Sequence, residues 1–213
     1  MSGLFITLEG CEGSGKSTQM ADLAALLRQA GADVHALREP GGTAVGEQVR
    51  EILLSPAHQG MDAVTEVLLY EAARAEHVAH VIRPALESGA IVICDRYADS
   101  STAYQGYGRG LDLAMVRSLN DWATAGLVPH CTLVLDVPPA EGLALATHKG
   151  ADRLEREAIA FHERVREGYL AMARQEPERF VVIPRGDAGE VLAAIVAALR
   201  PRLAERGIRL ESL

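Results

Sequence analysis

The sequence predicts an α/β protein, a five-stranded parallel sheet flanked by helices on both faces. Three observations predict it. Short apolar runs alternate with longer stretches of helical periodicity across 213 residues. The runs are apolar at nearly every position rather than every second one, as strands covered on both faces must be. The polar clusters fall just after those runs, at the strand ends where ligands bind in such folds.

The elements follow in order. LFITLE (4–9) is the first strand. Gly-rich residues come next, then a helix over about 16–30. In it Met20, Leu23, Ala24 and Leu27 keep i, i+3, i+4, i+7 spacing, and Gly31 supplies a C-terminal cap. VHAL (34–37) is the second strand, ended by Pro40-Gly41-Gly42. Helical stretches at 44–54 and 62–82 are separated by Ser55-Pro56, and Pro84 disturbs the end of the second. AIVICD (90–95) is the third strand, followed by a glycine-studded loop and a helix at 112–125. TLVLD (132–136) is the fourth. A helix at 140–147, a polar stretch THKGADR (147–153) and a helix at 155–174 lead to FVVI (180–183), the fifth strand. The last helix covers 188–204.

Bulk numbers narrow the function. At 48% hydrophobic the chain suits one domain over residues 1–213. A net charge of −8 argues against non-specific nucleic-acid binding, and 4% aromatic content against single-strand stacking platforms. No run approaches the ~20 apolar residues of a membrane span. The first residues, MSGLFITLEG, enter a strand without a basic leader. Three cysteines, Cys11, Cys94 and Cys131, show no metal-ligand spacing, so a cytoplasmic protein is expected.

The sharpest local signal is LEGCEGSGKST (8–18). Gly10-x-x-x-x-Gly15-Lys16-Ser17 is a phosphate loop, placed between a strand and a helix as the chemistry needs. Its glycines let N–H groups turn inward, and the helix adds its positive N-terminus. Gly10, Cys11, Glu12, Gly13, Ser14, Gly15, Lys16, Ser17 and Thr18 are the expected nucleotide-binding residues, which makes the fold P-loop NTPase-type. Lys16 reaches the β- and γ-phosphates, and Ser17 ligates Mg²⁺. No NKxD segment or ABC-type signature is present. Phosphotransfer to a small acceptor, an ATP-driven ligase and a nucleotide-sensing module stay open. Glu12 is unexpected, a carboxylate in an anion cradle.

Other residues gather at the strand ends. Arg38, in REPGGT, suits bidentate phosphate binding. Asp95 after its apolar run has the usual Walker B placement toward Mg²⁺, and Arg96 stands beside it. On spacing alone, LLYEAAR reads as an amphipathic segment with Tyr70 facing the core and Arg74 solvated. AYQGYGRG reads as a glycine-rich loop. His77 and His80 have i, i+3 spacing but no third ligand nearby in sequence, so they read as helix surface. Cys94 and Cys131 read as packing residues. Cys11 sits where helix-entry charge lowers a thiol pKa, yet reads first as a tolerated loop residue.

Together, GCEGSGKST, REPGGT, Tyr70 with Arg74, DRYADSSTAYQGYGRG and DRLE resemble the thymidylate kinase family in its bacterial form. They run in family order through most of the chain. The resemblance implies transfer of the γ-phosphoryl of ATP to dTMP, with Mg²⁺, in a homodimer. It implies that Arg38 and Arg96 hold the dTMP phosphate, Tyr70 stacks on thymine, and Arg74 bonds a thymine carbonyl. It places Ser101 and Gln105 near the base, Tyr104 against the sugar's 2′ position, and Asp95 with Ser17 at the magnesium site. It also implies a lid at about 147–153, with Lys149 where relatives carry an arginine. Arg153 is expected to act on the transferring phosphoryl. Glu12 then reads as an organiser of the acceptor side. A kinase for another nucleotide or deoxynucleoside, and a non-catalytic regulator, remain as alternatives. Arg38 with Arg96 favours a phosphorylated acceptor, and intact Lys16, Ser17, Asp95 and Arg96 argue against the regulator.

Overall fold

The computed structural model describes residues 3–146 and 152–210. Five strands, β1 (Leu4–Glu9), β2 (Val34–Arg38), β3 (Ile91–Asp95), β4 (Cys131–Asp136) and β5 (Phe180–Pro184), form one parallel sheet in the order β2-β3-β1-β4-β5. Every residue of β1 is buried, which is what the central strand of a two-sided sheet requires. Alternate residues of β1 serve opposite layers. Leu4, Ile6 and Leu8 pack with Leu23 and Leu27 of α1 (Lys16–Gln29) and Leu199 of α9 (Ala188–Ala204). Phe5 packs with Val92, Tyr97 and Ile82 on the other face.

Capping residues set where several helices begin. Thr43 caps α2 (Ala44–Leu54), Asp62 caps α3 (Ala63–His77) and Asp112 caps α6 (Leu113–Thr124). Asp187 and Glu190 form a reciprocal capping box on α9. Each side chain satisfies N–H groups that the first turn leaves open, an effect of about 1 kcal/mol.

Three boundaries differ from expectation. Pro84 does not end the helical run. A π-helical turn, Val78–Ile82, carries α3 into α4 (Arg83–Glu87), where Pro84 sits in the first turn and its missing N–H costs little. The glycine-studded loop after β3 is helical, with α5 (Ala98–Ser101) running into a π-helix over Thr102–Gly108. Its small and aromatic residues are buried against α8 (Ile159–Gln175). That helix starts later than expected. Asp152 Oδ1 accepts from the N–H groups of Leu154 and Glu155, and this turn competes with helix.

Strand register positions the chemistry. Arg38 pairs with Asp95 and Leu8 pairs with Asp95 on the other side, so three strands deliver their polar ends side by side. α7 (Pro139–Ala146) lies beside the loop after β1. Lys149, an expected lid residue, lies outside the described residues.

Candidate active site

The loop between β1 and α1 is built on positive φ at Gly10, Gly13 and Gly15. At Gly10 and Gly13 a side chain is also excluded by space. A Cβ on Gly10 would meet the Leu135 carbonyl, and one on Gly13 would run into the backbone of Gly142 in α7. Lys16 curls back over this loop. Its Nζ donates to the carbonyls of Gly10 and Cys11 at 3.1 and 2.8 Å and to Ser14 Oγ at 3.2 Å. Burial, then the charge of Arg96, lowers its pKa against the pull of Asp95 and Glu12. Ser17 Oγ donates to Asp95 Oδ2 at 2.9 Å, so the two expected metal residues meet. A hydroxyl and a carboxylate oxygen are hard donors suited to Mg²⁺. Thr18 is exposed in the first turn of α1.

Glu12 faces away from this cradle. Its Oε1 accepts from Arg96 at 2.8 Å and from the Tyr104 hydroxyl at 2.6 Å, and His162 Nδ1 lies 3.4 Å from Oε2. Burial would raise its pKa, but the charge of Arg96, with His162 close by, holds the carboxyl far below its usual range. Arg96 occupies left-handed backbone at φ 70°, unusual for a non-glycine residue. Its guanidinium also reaches the Gly10 carbonyl, Ser100 Oγ and Tyr169 Oη, and lies 4.8 Å over the Tyr104 ring.

Beneath Arg96 sits Glu9, a residue that sequence reading left unassigned. It accepts from Tyr97 N–H at 2.8 Å, from Ser100 Oγ at 2.6 Å and from Tyr169 Oη at 2.8 Å. Burial and the charge of Asp99 push its pKa up to about 7, against Ser100, Arg96 and Tyr169. Its only sequence signal is an acid ending an otherwise apolar run.

Arg38 reaches the cleft but is tied to Glu47, both of whose oxygens accept from its Nη2 at 3.0 and 2.9 Å. Arg50 of α2 was also missed. It shares the Pro40 carbonyl with Arg38 and lines the same cavity of about 280 Å³, together with Lys16, Ser17, Asp95 and Arg96. Its signal is a cation on the helix that follows REPGGT. A smaller cavity of about 30 Å³ adjoins, lined by Tyr70, Ser101, Tyr104 and Gln105. Glu12, Tyr70, Arg96 and Leu154 line both.

Several expectations need correction. Arg74 is not solvated. It is 1% exposed and donates to Glu39, Glu71, Ser101, Asn120 and the Tyr97 carbonyl. Two buried carboxylates draw it in. Arg153 does not face the phosphate loop either. Its Nε donates to the Leu53 carbonyl at 2.7 Å and an Nη donates to Glu66, so a buried carboxylate holds it as well. His77 is no surface residue. It is buried with Nδ1 3.2 Å from Glu39, and Cys94 joins them within 4.8 Å. Arg74 bonded to Glu39, and a Cys94 thiol pushed well up by burial, both oppose a cation there. Cys11 is buried, and burial with the charge of Glu12 pushes its thiol up to about 12, the reverse of redox activation. Cys94 and Cys131 pack in the sheet as expected.

The sequence profile of the family described as thymidylate kinase matches residues 8–195. A thymidylate kinase of Pseudomonas fluorescens is 51% identical over 210 residues, 97% of this chain and 99% of that protein. One of Synechococcus is 53% identical over 201 residues, 94% and 96%. The crystal structure of thymidylate kinase from Ehrlichia chaffeensis superposes with a TM-score of 0.78 at 36% identity, covering 94% of this chain and 99% of that one. With the family profile matching most of the chain and relatives above 50% identity across nearly the whole length, this chain belongs to the thymidylate kinase family.

Proposed function

We propose that the protein phosphorylates dTMP from ATP, giving dTDP and ADP. One observation carries the reading beyond family membership. The cavity that opens on Lys16 and Ser17 and the small cavity under Tyr70 share the Arg96–Glu12 pair as a common wall. A nucleotide monophosphate seated with its base by Tyr70, Ser101 and Gln105 meets Arg96, Arg38 and Arg50 with its phosphate. Its oxygen then attacks the γ-phosphorus, and the bond from that phosphorus to the β–γ bridging oxygen breaks. Positioning and cationic charge suffice, with no covalent intermediate on the protein.

Residues have separate tasks in this reading. Gly10 to Thr18 cradle the ATP phosphates, and Lys16 follows the γ-phosphoryl group. Ser17 and Asp95 are the residues to hold Mg²⁺, which neutralises phosphate charge when bound. Glu12 takes the sugar's 3′-hydroxyl side and locks Arg96. Tyr104, held to Glu12 by its hydroxyl, fills the space a 2′-hydroxyl needs.

Two neighbouring helices expose apolar side chains, Val45 and Ile52 on α2 and Val64 and Leu68 on α3. That face is the proposed homodimer contact. No helix among the described residues is long and apolar enough to cross a membrane, and a cytoplasmic location is part of the proposal. Purified protein with Mg-ATP and a panel of nucleoside monophosphates, read as ADP release, tests the activity. Turnover with dTMP well above AMP, UMP and dCMP is expected; preference for another acceptor overturns it.

A further inference from the structure

Behind the acceptor wall, two buried polar groups without partners face each other. His162, on α8, is fully buried, and neither of its ring nitrogens has a hydrogen-bond partner among the described residues. Glu12 Oε2 is likewise buried and without one. Oε1 takes both bonds to that carboxylate, from Arg96 and from the Tyr104 hydroxyl. His162 Nδ1 stands 3.4 Å from Oε2. Buried polar atoms without a partner cost free energy, so an apolar side chain would be the more stable occupant of the His162 position. Packing alone gives no reason for an imidazole there.

The surroundings hold the ring toward Glu12. Phe161 meets it edge-on, with ring centroids 5.2 Å apart, and packs edge-on against Tyr104 at 6.0 Å. Cys11, next to Glu12, brings its thiol to 3.8 Å from the His162 carbonyl. His162, Val165 and Tyr169 keep i, i+3, i+7 spacing on the buried face of α8. Tyr169 Oη reaches Arg96 from that face, so α8 backs both members of the Arg96–Glu12 pair.

Against the effect of burial, the charge of Arg96 keeps the Glu12 carboxyl ionised. An ionised carboxylate only accepts, so this pair closes with the proton on Nδ1. The terminal torsion of a glutamate is broad, and one anchored oxygen leaves its plane free to turn. A hold on Oε2 fixes that plane and keeps Oε1 between Arg96 and Tyr104. We propose that His162 is a positioning residue whose Nδ1–H holds Glu12 Oε2, and so keeps Arg96 and Tyr104 set for the acceptor nucleotide. It lines neither of the two cavities and acts only through Glu12. The inference rests on the dTMP-kinase reading and adds to it a support for the acceptor wall.

The test pairs two substitutions of nearly equal shape. His162→Asn sets an amide N–H where Nδ1 stands, and His162→Leu sets a methyl group there. At saturating Mg-ATP, His162→Leu is expected to lower kcat/KM for dTMP about tenfold, and His162→Asn to stay within about threefold of the wild type. An equal loss in both variants is a packing effect and overturns the proposal, as does wild-type kcat/KM in His162→Leu. In a Glu12→Gln background the gap between the two variants should close to about twofold. A gap as wide as before places the effect on another group and overturns it too. Should either variant not fold, nitrogen NMR spectra of the wild-type imidazole decide. A proton on Nδ1 is expected, and a bare Nδ1 overturns the proposal. A wild type inactive on dTMP overturns the kinase reading itself, while the spectra still report on the His162–Glu12 contact.

Discussion

The phosphate-loop wall of the cleft is main chain, whereas the acceptor wall is side chain. On the first, residues 10–15 turn through glycines, and Lys16 is held by two carbonyls and one hydroxyl. On the second, Glu12, Arg96, Ser100, Tyr104 and Tyr169 bond to one another from separate segments of the fold. A second tier of buried ions, Glu66 with Arg109 and Arg153 and Glu39 with Arg74, stands behind them. A backbone-built wall depends on a few contiguous residues. A side-chain wall depends on the whole fold being in place, and each member lost leaves another buried charge exposed to an apolar interior.

The comparison can be broken in four ways, beginning with the largest effect. Lys16→Met should lower kcat on the order of 10³-fold while leaving Tm nearly unchanged, because the loop holds its shape without the ammonium. Steady-state kinetics with a thermal melt of the same sample reads both; a large fall in Tm would make the two walls alike. Arg96→Lys should cost both properties. Lysine cannot reproduce the fork shared among Glu12, Gly10, Ser100 and Tyr169, so kcat/KM for dTMP should fall about 10²-fold and Tm by roughly 5 °C.

Arg153→Ala isolates the second tier. With Glu66 losing one of its two cations, Tm should drop by roughly 5 °C, while kcat below the melt stays within about threefold. A kcat loss on the scale of Lys16→Met would return Arg153 to the phosphoryl. The smallest effect concerns Glu9, whose pKa rises from 4.5 to about 7 on folding. The native state then binds this proton more tightly than the unfolded chain. Its contribution therefore falls as pH rises between those values, by up to ~1.4 kcal/mol per pH unit, and is level above them. Glu9→Gln should remove that slope from a plot of Tm against pH between 5 and 7.

The two walls were also unequally legible in sequence. The phosphate loop and the Asp95–Ser17 pair could be read because strand, glycines and helix follow one another within the eleven residues of LEGCEGSGKST, and strand register does the rest. The five strands were legible for a similar reason, since continuous apolar runs have few alternatives. The second tier was not. Arg74 and Arg153 sit at helix and turn positions where a charged residue ordinarily means solvent, and most of their partners lie far away in the chain; Glu39 and Arg74 are 35 residues apart, Glu66 and Arg153 87. The π-helix at Thr102–Gly108 also hid itself, because its spacing lacks the 3.6-residue pattern that announces an α-helix.

The contact between Gly13 and Gly142 has a mechanical consequence. A Cβ on Gly13 would strike the carbonyl of Gly142, and one on Gly142 would strike the carbonyl of Glu12. Loop and helix α7 thus bear on each other bone to bone, with no compliant side chain between them. A load placed on the tip of the loop passes to α7 without a cushion, and neither glycine can be enlarged without prising the bearing apart.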